Sequence, residues 1–412
     1  MFTKFRLQNY RTHIDTTLEL KDVTLIIGSN NSGKSNLLSG LSYFSMLVSA
    51  AYPGSKKSKT LGSGNYFPHR HSLSGRDVPI SFYCEWERNP QKIEYELQIY
   101  PFNQRSDIGC RERITIYTGA RKEFKHGHTE ASEDMLLRTQ LEDEDLTPDE
   151  KELTDTFFRS LASVYYYHFQ PAMLKGYARP IADRTSQLKD YSAEFKKTGK
   201  KPNLASEIGR EGANFQALLR YVQEHEQVTY NKFLGYLKRF VKSFNGIIVD
   251  KGVTKWQFDM GSSDFPYFES DKVSDGLVKA GAIALLCAMQ RPPALIMIEE
   301  IENGINQKNL SEFLGWLFGI SDHGRNTQFI LTSHSPSVIR EFSDRLDAVY
   351  NLHLRERDYR SIATNLNDAI KPLVNMGTIE EENRIVRDGK EVIQVKPYRL
   401  TELFYNGVLG EL

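Results

Sequence analysis

The residues best suited to chemistry are Gly28-Ser-Asn-Asn-Ser-Gly33-Lys34-Ser35. Two glycines with four residues between them, followed at once by a lysine and a hydroxyl, fit the capture of a polyphosphate. Glycine at 28 and 33 lets the backbone turn tightly, so that successive N–H groups point into one concavity and cradle phosphate oxygens. Lys34 is then expected to reach the β- and γ-phosphates, and the Ser35 hydroxyl to ligate Mg²⁺. A second candidate lies far along the chain, where the apolar run Leu295-Ile-Met-Ile298 ends in Glu299-Glu300. The first carboxylate should hold Mg²⁺ together with Ser35, and the second should polarise an attacking water. A carboxylate pair so close to a buried strand is costly without a partner, which argues against a merely solvated pair. His334 follows another apolar run, Gln328-Phe-Ile-Leu-Thr332, and falls where an imidazole could touch the γ-phosphate or the water. These groups amount to the parts of a nucleoside triphosphatase.

The elements that must position them can be read from the same sequence. Val23-Thr-Leu-Ile-Ile27 is a β-branched strand leading into the glycine loop, and Asn36-Leu37-Leu38-Ser39-Gly40-Leu41 begins a helix whose positive dipole end faces the same anion. The continuous apolar run 295–298 suits a strand buried on both faces of a parallel sheet, and 328–332, with Phe-Ile-Leu at its centre, reads as a second. Helices over 280–289 and about 307–320 alternate with them, which argues an α/β, doubly wound parallel sheet with the site at its carboxyl edge. The N-terminal stretch reads as strands Phe2–Leu7 and Thr16–Leu20. Between them Asn9-Tyr10-Arg11 suits an adenine or α-phosphate contact and a polar hairpin turn equally well. Residues 78–118 alternate apolar and polar in short runs, as a small antiparallel meander with one solvated face does. Val164–Phe169 is a strand ending at Gln170-Pro171. The pattern is helical from Ala182 to about Phe244, where Phe215, Leu218, Leu219, Val222, Phe233, Tyr236, Leu237, Phe240, Val241 and Phe244 recur at helical spacing and suit a core better than a ligand box. Ile247–Val249 and Trp256–Met260 read as a hairpin.

The bulk properties narrow the choice of function. The chain has 412 residues with 53 basic and 53 acidic side chains, so zero net charge makes no global case for a nucleic-acid binder. Local basic stretches remain at Pro53–Ser74 and at Arg184–Lys201, where Lys189, Lys196, Lys197, Lys200 and Lys201 cluster; a solvated surface is the plainer reading of both. The acidic stretch 130–155 is assigned no chemistry. No apolar run approaches the ~18 residues of a membrane span. Cys84, Cys110 and Cys287 show no paired spacing and read as reduced thiols of a cytoplasmic protein.

The glycine loop, Ser274-Asp275-Gly276, Leu295–Glu302 and Thr332-Ser-His-Ser-Pro336 together resemble an ABC-type ATPase head of the SMC/RecF/OLD group. Leu7-Gln-Asn-Tyr-Arg11 and Leu403–Gly410 resemble the two ends of such heads, while 50–160 and 184–260 carry little of the likeness. The resemblance implies a mixed and parallel sheet flanked by helices, an antiparallel β subdomain and a helical lobe. Its parts would be 1–183 and 251–412 for the head and 184–250 for the lobe. It also implies that Gly28, Asn30, Asn31, Ser32, Gly33, Lys34, Ser35 and Asn36 bind nucleotide, with ATP and Mg²⁺ as cofactors. Glu299 takes the Walker B role, Glu300 that of catalytic base and His334 that of switch histidine. Gln170 is the candidate for the Q-loop residue that touches nucleotide and metal. Ser274 and Gly276 form the signature, which in this group closes on the γ-phosphate of the opposite subunit, so a homo-oligomer of at least two is implied.

Two departures qualify the likeness. The signature is reduced to Ser-Asp-Gly, which fits the SMC-like branch and argues against transport. After Glu302-Asn303-Gly304, Asn306-Gln307 stands where many relatives have His-Pro. Past His334 no Asp-x-Asp occurs, Asp358, Asp368 and Asp388 being isolated, so a TOPRIM nuclease of the OLD type is not expected in this chain. Fold-level analogy then favours an ATPase subunit of a bacterial anti-phage defence system that controls a separately encoded effector, nuclease or toxin-like. A RecF-like repair ATPase that binds duplex DNA, an OLD-type nuclease component and a nucleotide-binding scaffold without turnover are the alternatives.

Overall fold

The computed structural model describes residues 1–50, 78–102, 107–128, 146–176, 190–250, 253–261, 265–322, 327–387 and 389–405. The Pro53–Ser74 loop, Lys189 and most of the acidic stretch before 146 lie outside the described residues, as do Asp388 and the last residues of Leu403–Gly410. The chain forms two compact units, Met1–Val164 with Gln328–Leu412, and Tyr165–Thr327.

The first unit carries an antiparallel sheet of six strands. Their order is His13–Glu19, Phe2–Tyr10, Ile80–Arg88, Gln91–Phe102, Asp107–Tyr117 and Arg121–His128. The expected meander is therefore the middle of a larger sheet that the N-terminal hairpin joins. Alternation decides its faces: Ile93, Tyr95, Leu97 and Ile99 are buried, while the residues between them are not. On the outer face Lys4 and Lys92 both pair with Glu85, at 2.8 and 2.7 Å. On the inner face Phe44, from the helix Lys34–Ala50, stacks at 5.1 Å on Phe82 and at 5.9 Å on Tyr95. Phe157 and Phe158 close the layer edge-on from the helix Pro148–Ala162. The helix Lys34–Ala50 is thus anchored to the sheet by aromatic packing at Tyr43 and Phe44.

In the same unit Val23–Ile27 is buried at every position and lies between Gln328–Ser333 and Val349–Arg355, parallel to both. Arg360–Asn365 pairs antiparallel with Val349–Arg355, so this sheet is mixed, as the resemblance implied. The helix Leu366–Asn375, the hairpin of Asn383–Arg387 with Lys390–Gln394 and the helix Pro397–Tyr405 complete the unit.

The second unit is helical around two β elements. Strands Leu295–Ile298 and Val164–Tyr167 are neighbours. Phe244–Asp250, Val253–Phe258 and Tyr267–Glu269 form a three-stranded antiparallel sheet, one strand more than the expected hairpin. The helices Phe215–His225 and Gln227–Phe240 bury most of the aromatic and aliphatic positions read as core; Tyr236, which packs on Trp316 at 5.2 Å, and Val241, just past the second helix, are only half-buried. Trp256 is fully buried; its indole N–H donates to Ser270 at 3.0 Å, and Gly281 makes room for its ring. Gly281 belongs to the helix Asp275–Ala288, which is buried on almost every side, as its apolar composition requires.

Candidate functional site

In the first unit the glycine loop leaves Val23–Ile27 and enters the helix at Lys34. Gly28 and Gly33 hold φ of +149° and +104°, and Asn31 holds +65°. A Cβ on Gly28 would stand 2.1 Å from the Leu352 carbonyl oxygen, and one on Gly33 would stand 2.1 Å from the Ser361 hydroxyl. No side chain fits at either position, so the glycines are needed for conformation and for space. Ser29, Asn30, Asn31 and Ser35 face outward, whereas Ser32 and Lys34 are buried. The Lys34 ammonium donates to the Gly28 and Ser29 carbonyls, at 2.9 and 2.8 Å, and so lies in the centre of the loop. Such a cradle of turning backbone around a lysine fits a polyphosphate.

Three side chains that sequence reasoning passed over hold this loop from behind. His13, fully buried, has Nε2 at 3.0 Å from the Gly33 carbonyl, which requires the proton there, and Nδ1 at 2.8 Å from Thr16 Oγ1. Ser361 donates to the Ser32 carbonyl at 2.7 Å and lies 2.8 Å from Thr12 Oγ1. Thr12 in turn accepts from the Asn36 amide at 3.1 Å. No local pattern marks any of them, since their role arises only when distant strands meet.

The two readings of Asn9-Tyr10-Arg11 separate here. Asn9 is buried and its amide donates to the Val78 carbonyl at 2.9 Å, while Tyr10 packs against Tyr43 and Phe82 in the core. Arg11, at φ +51° in the hairpin turn, reaches Asn36 Oδ1 at 3.1 Å, beside the glycine loop. His334 stands at the same sheet edge, because Ser333 pairs with Ile27 in parallel register and His334 comes next as Gly28 does. It is half-buried, between Ser333 and the Ser335 that caps the short helix Pro336–Arg340.

In the second unit Glu299 follows a wholly buried strand and is itself 7% exposed. A buried carboxylate needs partners, and three side chains supply them. Tyr166 donates its hydroxyl to Glu299 Oε2. His168 Nδ1 lies 3.4 Å from the same oxygen, and its Nε2 lies 3.9 Å from Glu300 Oε2. The Arg210 guanidinium sits 4.0 Å above the Tyr166 ring and 4.0 Å from Glu299. Burial, and then the bond to Glu299, push the Tyr166 phenol well above its usual range. Glu300 is more exposed, holds φ +49° and accepts from Asn303 Nδ2 at 3.2 Å.

Gln170 lies two residues beyond His168. It precedes the short helix Pro171–Leu174, and its backbone N–H donates to the Glu211 carbonyl at 3.1 Å. Of the side chains that meet Glu299, Tyr166 and His168 are near neighbours of Gln170 in sequence, whereas Arg210 comes from further along the chain. Ser274 is the N-cap of the helix Asp275–Ala288, its hydroxyl accepting from Leu277 N–H at 3.4 Å. Gly276 packs on the loop after the carboxylates, where a Cβ would stand 1.9 Å from the Gly304 carbonyl oxygen. Beside them a cavity of about 380 Å³ is lined by Phe240, Phe258, Phe268, Val273 and Leu277.

Residues 23–340 match the family described as "AAA domain, putative AbiEii toxin, Type IV TA system". Among solved structures, an SMC head bound to the C-winged helix domain of ScpA aligns with 90% of this chain and 99% of its own, at 13% identity and a TM-score of 0.44. The SMC head domain from Thermotoga maritima aligns over 88% and 98%, at 16% identity and 0.39. A third, an Smc head domain with an extended coiled coil bound to the C-terminal domain of ScpA derived from Pyrococcus furiosus, aligns over 91% and 99%, at 14% and 0.40. No curated protein matches the sequence.

Proposed function

The chain belongs to this AAA-domain family, and on that premise we propose that it binds and hydrolyses ATP with Mg²⁺, working as a dimer or larger assembly. The observation that carries the proposal is the glycine loop, whose backbone admits no Cβ at 28 or 33 and wraps the Lys34 ammonium. When bound, MgATP supplies the γ-phosphoryl group and a metal that offsets its charge. Gly28, Asn30, Asn31, Ser32 and Gly33 offer backbone donors to the phosphates, Lys34 its ammonium, and Asn36 with Arg11 the polar groups at the head of the helix. Ser35 and Glu299 are the proposed metal ligands, and Gln170 is the candidate for a further contact to nucleotide and metal. Two protein ligands suffice, because Mg²⁺ keeps waters and phosphate oxygens as its others. Glu300, as general base, orients the attacking water, and His334 contacts the γ-phosphate or that water.

Ser274 and Gly276 are the proposed contact to the nucleotide of a second copy. A hydroxyl and free N–H groups at the start of a fourteen-residue helix make an anion site. The family description, which names a toxin and a type IV TA system, supports a role in bacterial anti-phage defence, with a separately encoded effector as partner. The test measures ATP binding and phosphate release. Lys34→Ala should lose nucleotide affinity, Glu300→Gln should bind ATP without turnover, and Ser274→Arg should bind ATP but neither turn it over nor dimerise. Wild-type protein that binds no ATP would end the proposal. Turnover unchanged in Ser274→Arg would remove the second copy from the site.

A further inference from the structure

Lys279 lies in the second turn of the helix Asp275–Ala288 and is 3% exposed. Its ammonium donates to the Glu300 carbonyl at 2.6 Å and to the Asn303 carbonyl at 3.1 Å. Both carbonyls belong to the turn that follows the strand Leu295–Ile298. That turn is unusual in its backbone, with Glu300 at φ +49° and Gly304 at φ +77°. Inside it the Asn303 and Ile305 amides donate back to the Glu300 and Glu302 carbonyls, at 3.0 and 2.8 Å. A glutamate persists in the left-handed region only where its surroundings over-determine it. The carbonyl that Lys279 grips is that of Glu300 itself.

Burying an ammonium is costly, and here burial lowers the Lys279 pKa to about 8, although the Glu302 and Glu300 carboxylates pull the other way. An apolar side chain of similar length would fill the space without that cost, so stability alone does not explain a lysine here. One turn back along the helix, Gly276 meets the Gly304 carbonyl too closely for any Cβ. The helix that begins at Ser274 is thus joined to the carboxylate turn at two places.

We propose that Lys279 is a positioning residue that fixes the backbone of Glu300, so that the helix headed by Ser274 and the Glu300 carboxylate move as one piece. The proposal rests on the reading of Glu300 as general base. It deepens that reading by giving the start of the helix a mechanical hold on the base. An event at Ser274, such as the arrival of a second copy, would then be felt at Glu300 through the helix rather than through solvent.

The test compares wild type with Lys279→Met and Lys279→Arg. Amide hydrogen exchange at Asn303 and Ile305 should speed up by about tenfold or more in Lys279→Met, while amides in the middle of the helix keep their protection. Phosphate release should fall by about tenfold or more with ATP affinity within about twofold, a loss confined to turnover. Lys279→Arg, which keeps the charge and the donors, should recover most of both. Should Lys279→Met lack a cooperative melt, Lys279→Leu replaces it with the same expectation. Unchanged exchange at Asn303 and Ile305, or wild-type turnover in Lys279→Met, would overturn the proposal. If the wild-type protein releases no phosphate, the ATPase reading fails, and the exchange measurement still decides whether Lys279 holds the turn.

Discussion

Gly33 lies so close to Ser361 that a Cβ built on the glycine would stand 2.1 Å from the serine hydroxyl. With Gly33 at φ +104°, Gly33→Ala must strain the backbone and push away a side chain that holds the Ser32 carbonyl. The strain alone is on the order of 1–3 kcal/mol. ATP affinity should fall by at least about tenfold, one factor of ten for each ~1.4 kcal/mol. Titration with a fluorescent ATP analogue measures it, and affinity within twofold of wild type would contradict this account of the loop.

His13 is the other support of that glycine, and it is fully buried. His13→Ala leaves the Gly33 carbonyl and the Thr16 hydroxyl without their partner. An abandoned buried polar group costs about 1–3 kcal/mol, so chemical denaturation should show a loss of that size. Nucleotide affinity should drop as well, because the carbonyl that His13 fixes is part of the phosphate loop.

Tyr166→Phe removes the hydroxyl that donates to Glu299 while keeping the ring beneath Arg210. A hydrogen bond to a charged partner contributes about 1.5–3 kcal/mol, and the variant should be destabilised by an amount in that range. His168 and Arg210 remain beside the carboxylate, so the fold should survive with a cooperative transition. A stability equal to wild type would mean that those two side chains already satisfy Glu299.

Glu150 links acid stability to the cap of the helix Pro148–Ala162. Burial alone would raise its pKa. Bonds from Lys122 at 2.7 Å, from Thr118 at 2.9 Å and from the Thr147 N–H at 2.8 Å instead hold it at about 2. A carboxylate whose folded pKa lies below its unfolded value contributes stability above the unfolded pKa and loses it as pH falls through the folded one. Stability should therefore decline from about pH 4.5 down to about pH 2. Glu150→Gln should be less stable than wild type at neutral pH and should show a shallower decline over the same window.

The sequence made the strand–loop–helix around Gly28–Ser35 legible because one short stretch contains every part of it. The runs Leu295–Ile298 and Gln328–Ser333 were legible because three or four consecutive apolar residues, too short a stretch for a helix, leave few alternatives to a buried strand. The strand Arg121–His128 was not, since Arg-Lys-Glu-Phe-Lys-His-Gly-His carries one apolar side chain at a sheet edge and no alternation to detect. The contact of Tyr166 and His168 with Glu299 escaped for a different reason. Alternation along a strand indicates which residues turn inward, and says nothing of which carboxylate a neighbouring strand will bring. Tyr10 shows the limit from the other side: next to Arg11 it suited a ligand contact, and its partners in the core, Tyr43 and Phe82, are remote in sequence.

The strand that launches the phosphate loop is flanked on both sides by strands from the far end of the chain, and Ser361 grips the loop across a separation of 329 residues. During synthesis the loop therefore leaves the ribosome long before its neighbours exist. Closing so large a span is slow compared with forming the antiparallel sheet from adjacent hairpins. A nascent chain halted before Gln328 should hold that sheet yet grip no nucleotide, so competence for ATP would arrive only once residues 328–361 have been made.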